Sequence, residues 1–338
     1  MSFHRSSMYH KRVNQIAYRY NKSKLRIMAG NNDDHWQFNE DICILFDAIV
    51  ATFDKYSNQD EAATFSNSRN MREVMRETYT NDMSNRFSDR PDYSDKLMRW
   101  TYTYTYLPRH VHLVYAALMK AYTPEHMESL EKLKEQPIVC CVGGGPNIDA
   151  LGLCIFLRTV GCYGTLTTKV CVLDKYDDWR HTWEDMKQQL SCEYQSWMPE
   201  TEWAKFDMCS SLYPRAFFKV KSFGIINEAD IITMIKSLST VASSAEKMKL
   251  TVDQLMKKMK RGALLLFIDY AKSNAVKIVQ QALSSNRSSH RVLHDELITD
   301  ALTREIYSES AETFTDRMED QPVLGAGQNI MLLIHRFA

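Results

Sequence analysis

Residues 139–149 read VCCVGGGPNID and gather three of the chain's 11 glycines at the end of an apolar, strand-like run. A backbone that bare suits a ligand that must come close to the main chain. Phosphate is the first ligand to weigh. A Walker-type loop ends in Gly-Lys-Ser/Thr so that its lysine reaches the terminal phosphates, and here no lysine follows before Lys169. A dinucleotide loop needs G-x-G-x-x-G. The place of its third glycine is taken by Ile148, which leaves a nicotinamide-dependent oxidoreductase as an outside reading.

A third ligand asks less of the loop. S-adenosylmethionine has no pyrophosphate and needs only close approach to its amino-acid part, which the missing side chains of Gly143 and Gly145 allow. Pro146 then fixes φ where the chain turns toward a helix. The next apolar run, Val170-Cys171-Val172-Leu173, ends in Asp174 and Lys175, and a short carboxylate at a strand end can accept from two vicinal ribose hydroxyls. Asp149 opens the intervening helix, where it serves either the helix dipole or a ligand.

VCCVGGGPNIDALG followed by VCVLDKYDDW is similar to motifs I and II of class I S-adenosylmethionine-dependent methyltransferases. The Gly-Gly-Gly-Pro form with Asp149 three residues later resembles a eukaryotic subgroup that includes ribosomal RNA uridine methyltransferases. The likeness spans roughly Tyr102 to Ala338. It implies a Rossmann-like α/β sheet with helices on both faces and S-adenosylmethionine held at Gly143, Gly144, Gly145, Pro146, Asn147, Asp149, Asp174 and Lys175. Asp207, in Trp203-Ala-Lys-Phe-Asp-Met208, matches the residue that contacts the adenine amino group. Residues 229–239 correspond to the fourth strand and the loop where the family places catalytic and substrate contacts; Gly262–Tyr270 corresponds to the fifth strand.

Two positions depart from the family pattern. Cys141 stands where many members have an acid, and Asn147 where many have a third glycine. The signatures for methylating exocyclic base nitrogens and pyrimidine carbon 5 are absent, so the sequence names no catalytic residue. Transfer from a sulfonium needs an in-line nucleophile about 3 Å from the methyl and little beyond positioning. RNA is the acceptor class implied. A second reading is a catalytically silent methyltransferase-like subunit that binds a protein partner, which the loss of the acid at Cys141 and the zero net charge also suit.

The elements that must hold these residues follow from periodicity. Ile42, Leu45, Phe46, Ile49, Val50 and Phe53 recur at helical spacing, with Asn39 as the expected N-cap. The polar stretch Ser57–Asn70 reads as a loop or hinge. Around Trp100–Tyr106 the spacing predicts a helix, a break near Pro108, then a second helix. After Pro137 strands and helices alternate. Strands are expected at Ile138–Val142, Lys169–Leu173, Ala204–Met208, Ile231–Met234, Ala263–Asp269 and Asn329–Ile334. Helices are expected at Ile148–Gly161, Trp179–Tyr194, Ala242–Met259 and Ser273–Ser284. The organisation expected is a basic arm over 1–35, a helical lobe over 36–125 and a methyltransferase-like domain over 126–338.

Composition bounds the rest. The 338 residues are 44% hydrophobic and carry zero formal charge, so no global field draws the chain to nucleic acid or membrane. Residues 1–32 hold Arg5, Lys11, Arg12, Arg19, Lys22, Lys24 and Arg26 with no acid, which fits a phosphate-touching arm, a mitochondrial transit segment or a disordered terminus. No apolar run reaches membrane-spanning length, and an intracellular setting, cytoplasm, nucleus or mitochondrion, is expected. The eight cysteines include no C-x-x-C pair, consistent with reduced thiols and no zinc site. Tyr102, Tyr104, Tyr106, His110 and His112 precede the glycine loop and either cover the site or pack between lobes. Trp179 and Trp183 are expected in the core, Asn286–Arg291 as a basic loop and Ser308–Gln321 as an acidic one.

Overall fold

The computed structural model describes residues 34–57, 60–80, 91–161, 168–208, 222–238, 245–299, 307–319, 321–323 and 327–338. The basic arm up to residue 33, Cys162 and Cys209 lie outside them.

Three long helices come first. Helix α1 (Asp34–Ser57) buries Ile42, Leu45, Phe46, Ile49, Val50 and Phe53 on one face, as the spacing requires. It starts before Asn39, which is an interior residue rather than a cap. Helix α2 (Glu61–Thr80) takes in both the polar stretch expected as a loop up to Asn70 and Met71–Tyr79, where the spacing is helical. Asp60 caps it by accepting the Ala63 amide at 3.1 Å, and Phe65, Ser68 and Met75 bury a narrow stripe that the polar composition had hidden.

Helix α3 (Lys96–Ala121) is continuous through Pro108, against the expected break. Proline inside a helix costs ~3 kcal/mol or more, but nearly every residue from Leu97 to Leu118 is buried, and that packing outweighs the lost bond. The Asp95 carboxylate caps its start by accepting the Met98 amide at 2.8 Å. In the loosened turn, the Thr105 carbonyl accepts from the Val323 amide at 2.9 Å.

The sheet follows, with β1 (Ile138–Val142), α4 (Ile148–Thr159), β2 (Lys169–Asp174), α5 (Trp179–Lys187), β3 (Glu200–Lys205), α6 (Ser222–Glu228), β4 (Ile231–Ile235), α7 (Ala245–Lys258), β5 (Leu264–Tyr270), α8 (Asn274–Ser285), β6 (His290–Ile298), α9 (Glu309–Met318) and β7 (Asn329–Arg336). Strand order is β3-β2-β1-β4-β5-β7-β6. Strands β1 to β5 run parallel, and β7 lies antiparallel between β5 and β6. This is the Rossmann-like α/β sheet expected, with helices on both faces. Its order reverses between β1 and β4, which makes the carboxyl ends of those two strands the natural ligand crevice.

Alternation along the strands feeds two cores. Val139 and Cys141 face a core that contains α1, α3 and α4, while Cys140 and Val142 face one built with α7 and α8. The first core runs without interruption from Phe38 and Trp100 to Leu151 and Leu266. Helices α3 and α4 meet at Gly152, where an added Cβ would stand 2.6 Å from the Val114 Cβ. Arg158 joins α4 to α1 through Asp41 at 2.9 Å.

Four further expectations change. Strand β3 ends at Lys205, and the segment expected to run as one helix from Trp179 to Tyr194 ends its first piece at Lys187. Arg291 belongs to strand β6, which the polar sequence HRVLHDELI concealed. The acidic stretch from Ser308 contains α9, capped where the Ser308 hydroxyl accepts the Ala311 amide at 3.1 Å. No described helix is long and apolar enough to cross a membrane.

Candidate cofactor and acceptor site

Past Val142 the chain turns on three left-handed residues, Gly143 (φ 69°), Gly145 (φ 50°) and Asn147 (φ 66°). A Cβ on Gly143 would lie 2.5 Å from the Ser237 Cβ. Only glycine lets the ends of β1 and β4 come so near. The Gly143 amide donates to the Leu173 carbonyl at 2.7 Å, which binds the loop to β2.

One step further on, the Gly145 amide donates to Asp174 Oδ2 at 3.1 Å, and the Tyr176 amide donates to Oδ1 at 3.0 Å. Asp174 is half-buried at the end of β2, and burial pushes its carboxyl up to about 6 against those two donors. The indole of Trp179 lies 3.7 Å from where a Gly145 Cβ would be. Trp179 is thus buried, as expected, but buried against the loop. Asn147 accommodates the left-handed turn and its Nδ2 donates to Thr201 Oγ1 at 2.9 Å, so the third-glycine position is filled by a residue that also fastens the loop to β3.

Asp149 lies inside the fold at the start of α4. It is 3% exposed and accepts from Thr233 Oγ1 at 2.7 Å, beside the Cys141 thiol. Burial, with Asp174 adding, pushes its carboxyl up to about 8. A group that is neutral at pH 7 does not complement a helix dipole. Lys175 is exposed, its Nζ 5.0 Å from the Tyr176 ring centroid. Asp207 is exposed on the segment after β3, where the neighbouring Phe206 amide donates to the Asp174 carbonyl at 2.6 Å. Gly143, Gly144, Gly145, Pro146, Asn147 and Asp174 therefore form one cluster, Asp149 lies beneath it, Asp207 follows the adjoining strand, and Lys175 faces solvent.

The aromatic residues of α3 divide by helical phase. Tyr102, Tyr106 and His110 lie at spacings of four, with Tyr102 5.5 Å from Trp179 and Tyr106 stacked on His110 at 5.7 Å. Tyr104 faces Phe46, Phe53 and Phe314, and His112 faces Phe38, so those two belong to the core.

Opposite the loop stands a group that sequence reading missed. Lys236, at the end of β4, is left-handed (φ 55°) and 5% exposed. Its Nζ lies 3.1 Å from the centroid of the Tyr270 ring and donates to Asn329 Oδ1. Asp269 is wholly buried next to it, and Arg109 Cζ lies 6.0 Å from the centroid of the same Tyr270 ring. The signal was a lone lysine directly after the buried run Ile231–Ile235, where a solvated charge has no room. Among the described residues no three His, Cys, Asp or Glu side chains gather as a metal site.

No protein-family model matches the sequence, and no curated protein matches it. Among solved structures the chain is similar to a precorrin-6y C5,15-methyltransferase from Geobacter metallireducens, at 9% identity over 62% of this chain and 86% of that one, with a TM-score of 0.34. It is also similar to the mitomycin 7-O-methyltransferase MmcR (13% identity, 78% of this chain and 60% of that one, TM-score 0.37). A third is the M1A22 tRNA methyltransferase TrmK of B. subtilis (8% identity, 63% and 66%, TM-score 0.33).

Proposed function

We propose that this chain transfers a methyl group from S-adenosylmethionine to an acceptor bound between the glycine loop and the end of β4. The observation that carries the reading is the hydrogen bond from the Gly145 amide to Asp174 Oδ2, which joins a bare, left-handed loop at the end of β1 to a carboxylate at the end of β2. The residues present fit the cofactor. Gly145 leaves room beside the loop, its absent Cβ lying no nearer than 3.7 Å to Trp179, Gly143 and Gly144 let the loop close on Ser237 and Cys141, and Asp174 is the strand-end carboxylate for the ribose hydroxyls. Bound there, the cofactor supplies an electrophilic methyl on a sulfonium. The chain's own part is to fix the loop through Asn147 and Thr201, to orient the ribose through Asp174, and to exclude water with the Tyr102, Tyr106 and His110 face of α3.

For the acceptor we put forward RNA, supported by the seven basic residues and the absence of acids within 1–32, a charge that suits phosphate. Calorimetry with S-adenosylmethionine, S-adenosylhomocysteine and NAD on wild type and Asp174→Ala tests the cofactor. We expect both adenosyl ligands to bind wild type and the variant to lose ten- to a hundredfold in affinity, about the worth of hydrogen bonds to a charged group. Binding of NAD alone, or of no cofactor, overturns the proposal; the latter leaves a scaffold subunit.

A further inference from the structure

Resting on RNA as the proposed acceptor, we infer that the end of the sheet away from the glycine loop is a docking surface for RNA phosphates, formed by Arg261, Arg287 and Arg291 around Arg336. Between Gln254 and His294 the sequence holds eight Lys or Arg and a single acid, Asp269, in a chain whose net charge is zero. Asp269 is wholly buried toward the other end of β5, so it does not offset the surface charge.

The fold gathers what the sequence spreads. The Gly262 amide donates to the Arg336 carbonyl at 2.7 Å, Arg261 Nε to the Phe337 carbonyl at 3.1 Å, and the Phe337 amide to the Ser289 carbonyl at 2.9 Å. Those bonds join the turn before β5, the end of β7 and the turn before β6. Arg287 occupies that last turn, and Arg291 stands opposite His335 in the β6–β7 ladder. Arg336 Nη1 donates to the Lys257 and Met259 carbonyls, which closes the end of α7 and leaves the guanidinium its charge.

Arg261, Arg287 and Arg291 are exposed, and none of the four arginines is paired with an Asp or Glu among the described residues. The acids close by are engaged elsewhere, Asp230 with Lys260 and Asp253 with Lys257, each at 2.6 Å. Burial first, then Arg291, Lys132 and His290, hold His335 below its ordinary value, so every ionisable neighbour acting on it is basic.

Guanidinium groups meet phosphate in a bidentate fork, and the exposed Phe337 ring beside them gives a base a face to stack on. Charge together with aromatic surface is what single-stranded nucleic acid requires. A strand rises ~3.3 Å per residue, so β5, with seven residues, sets this surface ~20 Å from the glycine loop. An RNA that spans both is held at two places, and the arginines fix its position without entering the reaction.

The probe is a fluorescein-labelled uridylate of about 20 nucleotides, titrated with the full chain by anisotropy from about 50 to 300 mM salt, where single-stranded binding weakens with a log–log slope of ~0.7 per phosphate contact. The triple variant Arg261→Gln, Arg287→Gln, Arg291→Gln should bind at least ~tenfold more weakly, with a slope smaller by about 2. Its S-adenosylhomocysteine affinity, read by calorimetry, should stay at the wild-type value. Phe337→Ala should lose about fivefold at every salt concentration. Should the triple variant melt early, Arg287→Gln alone still removes about 0.7 of slope. Wild-type affinity and slope in these arginine variants overturn the inference and leave RNA to the basic residues of 1–32. Polyglutamate that displaces the probe as readily as unlabelled RNA also overturns it. RNA binding lost with the arginines, in a chain that binds no S-adenosylhomocysteine, keeps this surface and sinks the methyl-transfer reading.

Discussion

Thr233 Oγ1 donates to Asp149 Oδ2 at 2.7 Å, tying β4 to the first turn of α4 beneath the glycine loop. Burial holds this carboxyl at about 8 against an ordinary 3.8. The folded chain therefore keeps a proton that the unfolded chain releases, and the associated stability, full below about pH 4, is lost as pH rises through about 8. Asp149→Asn has no such proton. Urea midpoints at pH 5 and pH 8.5 should fall for wild type relative to the variant; a difference independent of pH contradicts the buried carboxyl.

Asp174 gives a second dependence with a different readout. Its carboxyl titrates at about 6, and only the carboxylate accepts from two hydroxyls at once. S-adenosylhomocysteine affinity should rise as pH increases through 6 and level off above 7. Asp174→Asn should bind weakly with no step, as followed by calorimetry across that range.

Two glycines should respond in opposite ways to alanine. At Gly143 the new Cβ meets Ser237 at 2.5 Å on a left-handed backbone, so Gly143→Ala should lose about 2 kcal/mol and adenosyl binding together. At Gly224, in helix α6, nothing lies within 4 Å, and Gly224→Ala should gain about 0.5–1 kcal/mol. Thermal melts of the two variants give the comparison.

Arg158 and Asp41 carry a further test. Arg158 Nη1 donates to Asp41 Oδ1 at 2.9 Å, the Tyr194 hydroxyl donates to the same oxygen at 3.2 Å, and the guanidinium covers Trp197 at 4.6 Å. Asp41 is fully buried, so removing the Arg158 cation takes compensation from a buried charge. Arg158→Met should cost about 2–3 kcal/mol in chemical denaturation, and adding Asp41→Asn should return part of it.

The parallel sheet was legible because its strands are buried on both faces and read as unbroken apolar runs, Ile231–Ile235 and Leu264–Tyr270 above all. Strand β6 escaped notice since only His290 and Ile298 along it are buried. The first half of α2 escaped for a similar reason, Phe65 and Ser68 being its buried residues within a polar surround. Pro108 misled because local propensity favours a break, while burial on all sides of α3 decides otherwise. At the site, the glycines and Asp174 are adjacent in the motif and so could be read. Lys236, Tyr270, Asn329 and Arg109 come from four separate elements and meet only through sheet order, which no local spacing encodes.

The close crossing at Gly152 bears on how ligands come and go. With the Val111 carbonyl 2.7 Å and the Val114 Cβ 2.6 Å from any side chain at that position, α3 is clamped on α4 half a helix away from Tyr102 and Tyr106. The aromatic face of α3 is therefore anchored on α4 when the chain folds. In the proposed reaction the entropy of ordering those aromatic rings is spent before acceptor or cofactor arrives. On the proposed reading, a bulkier residue at Gly152 would shift α3 and change which acceptors fit while touching none of them.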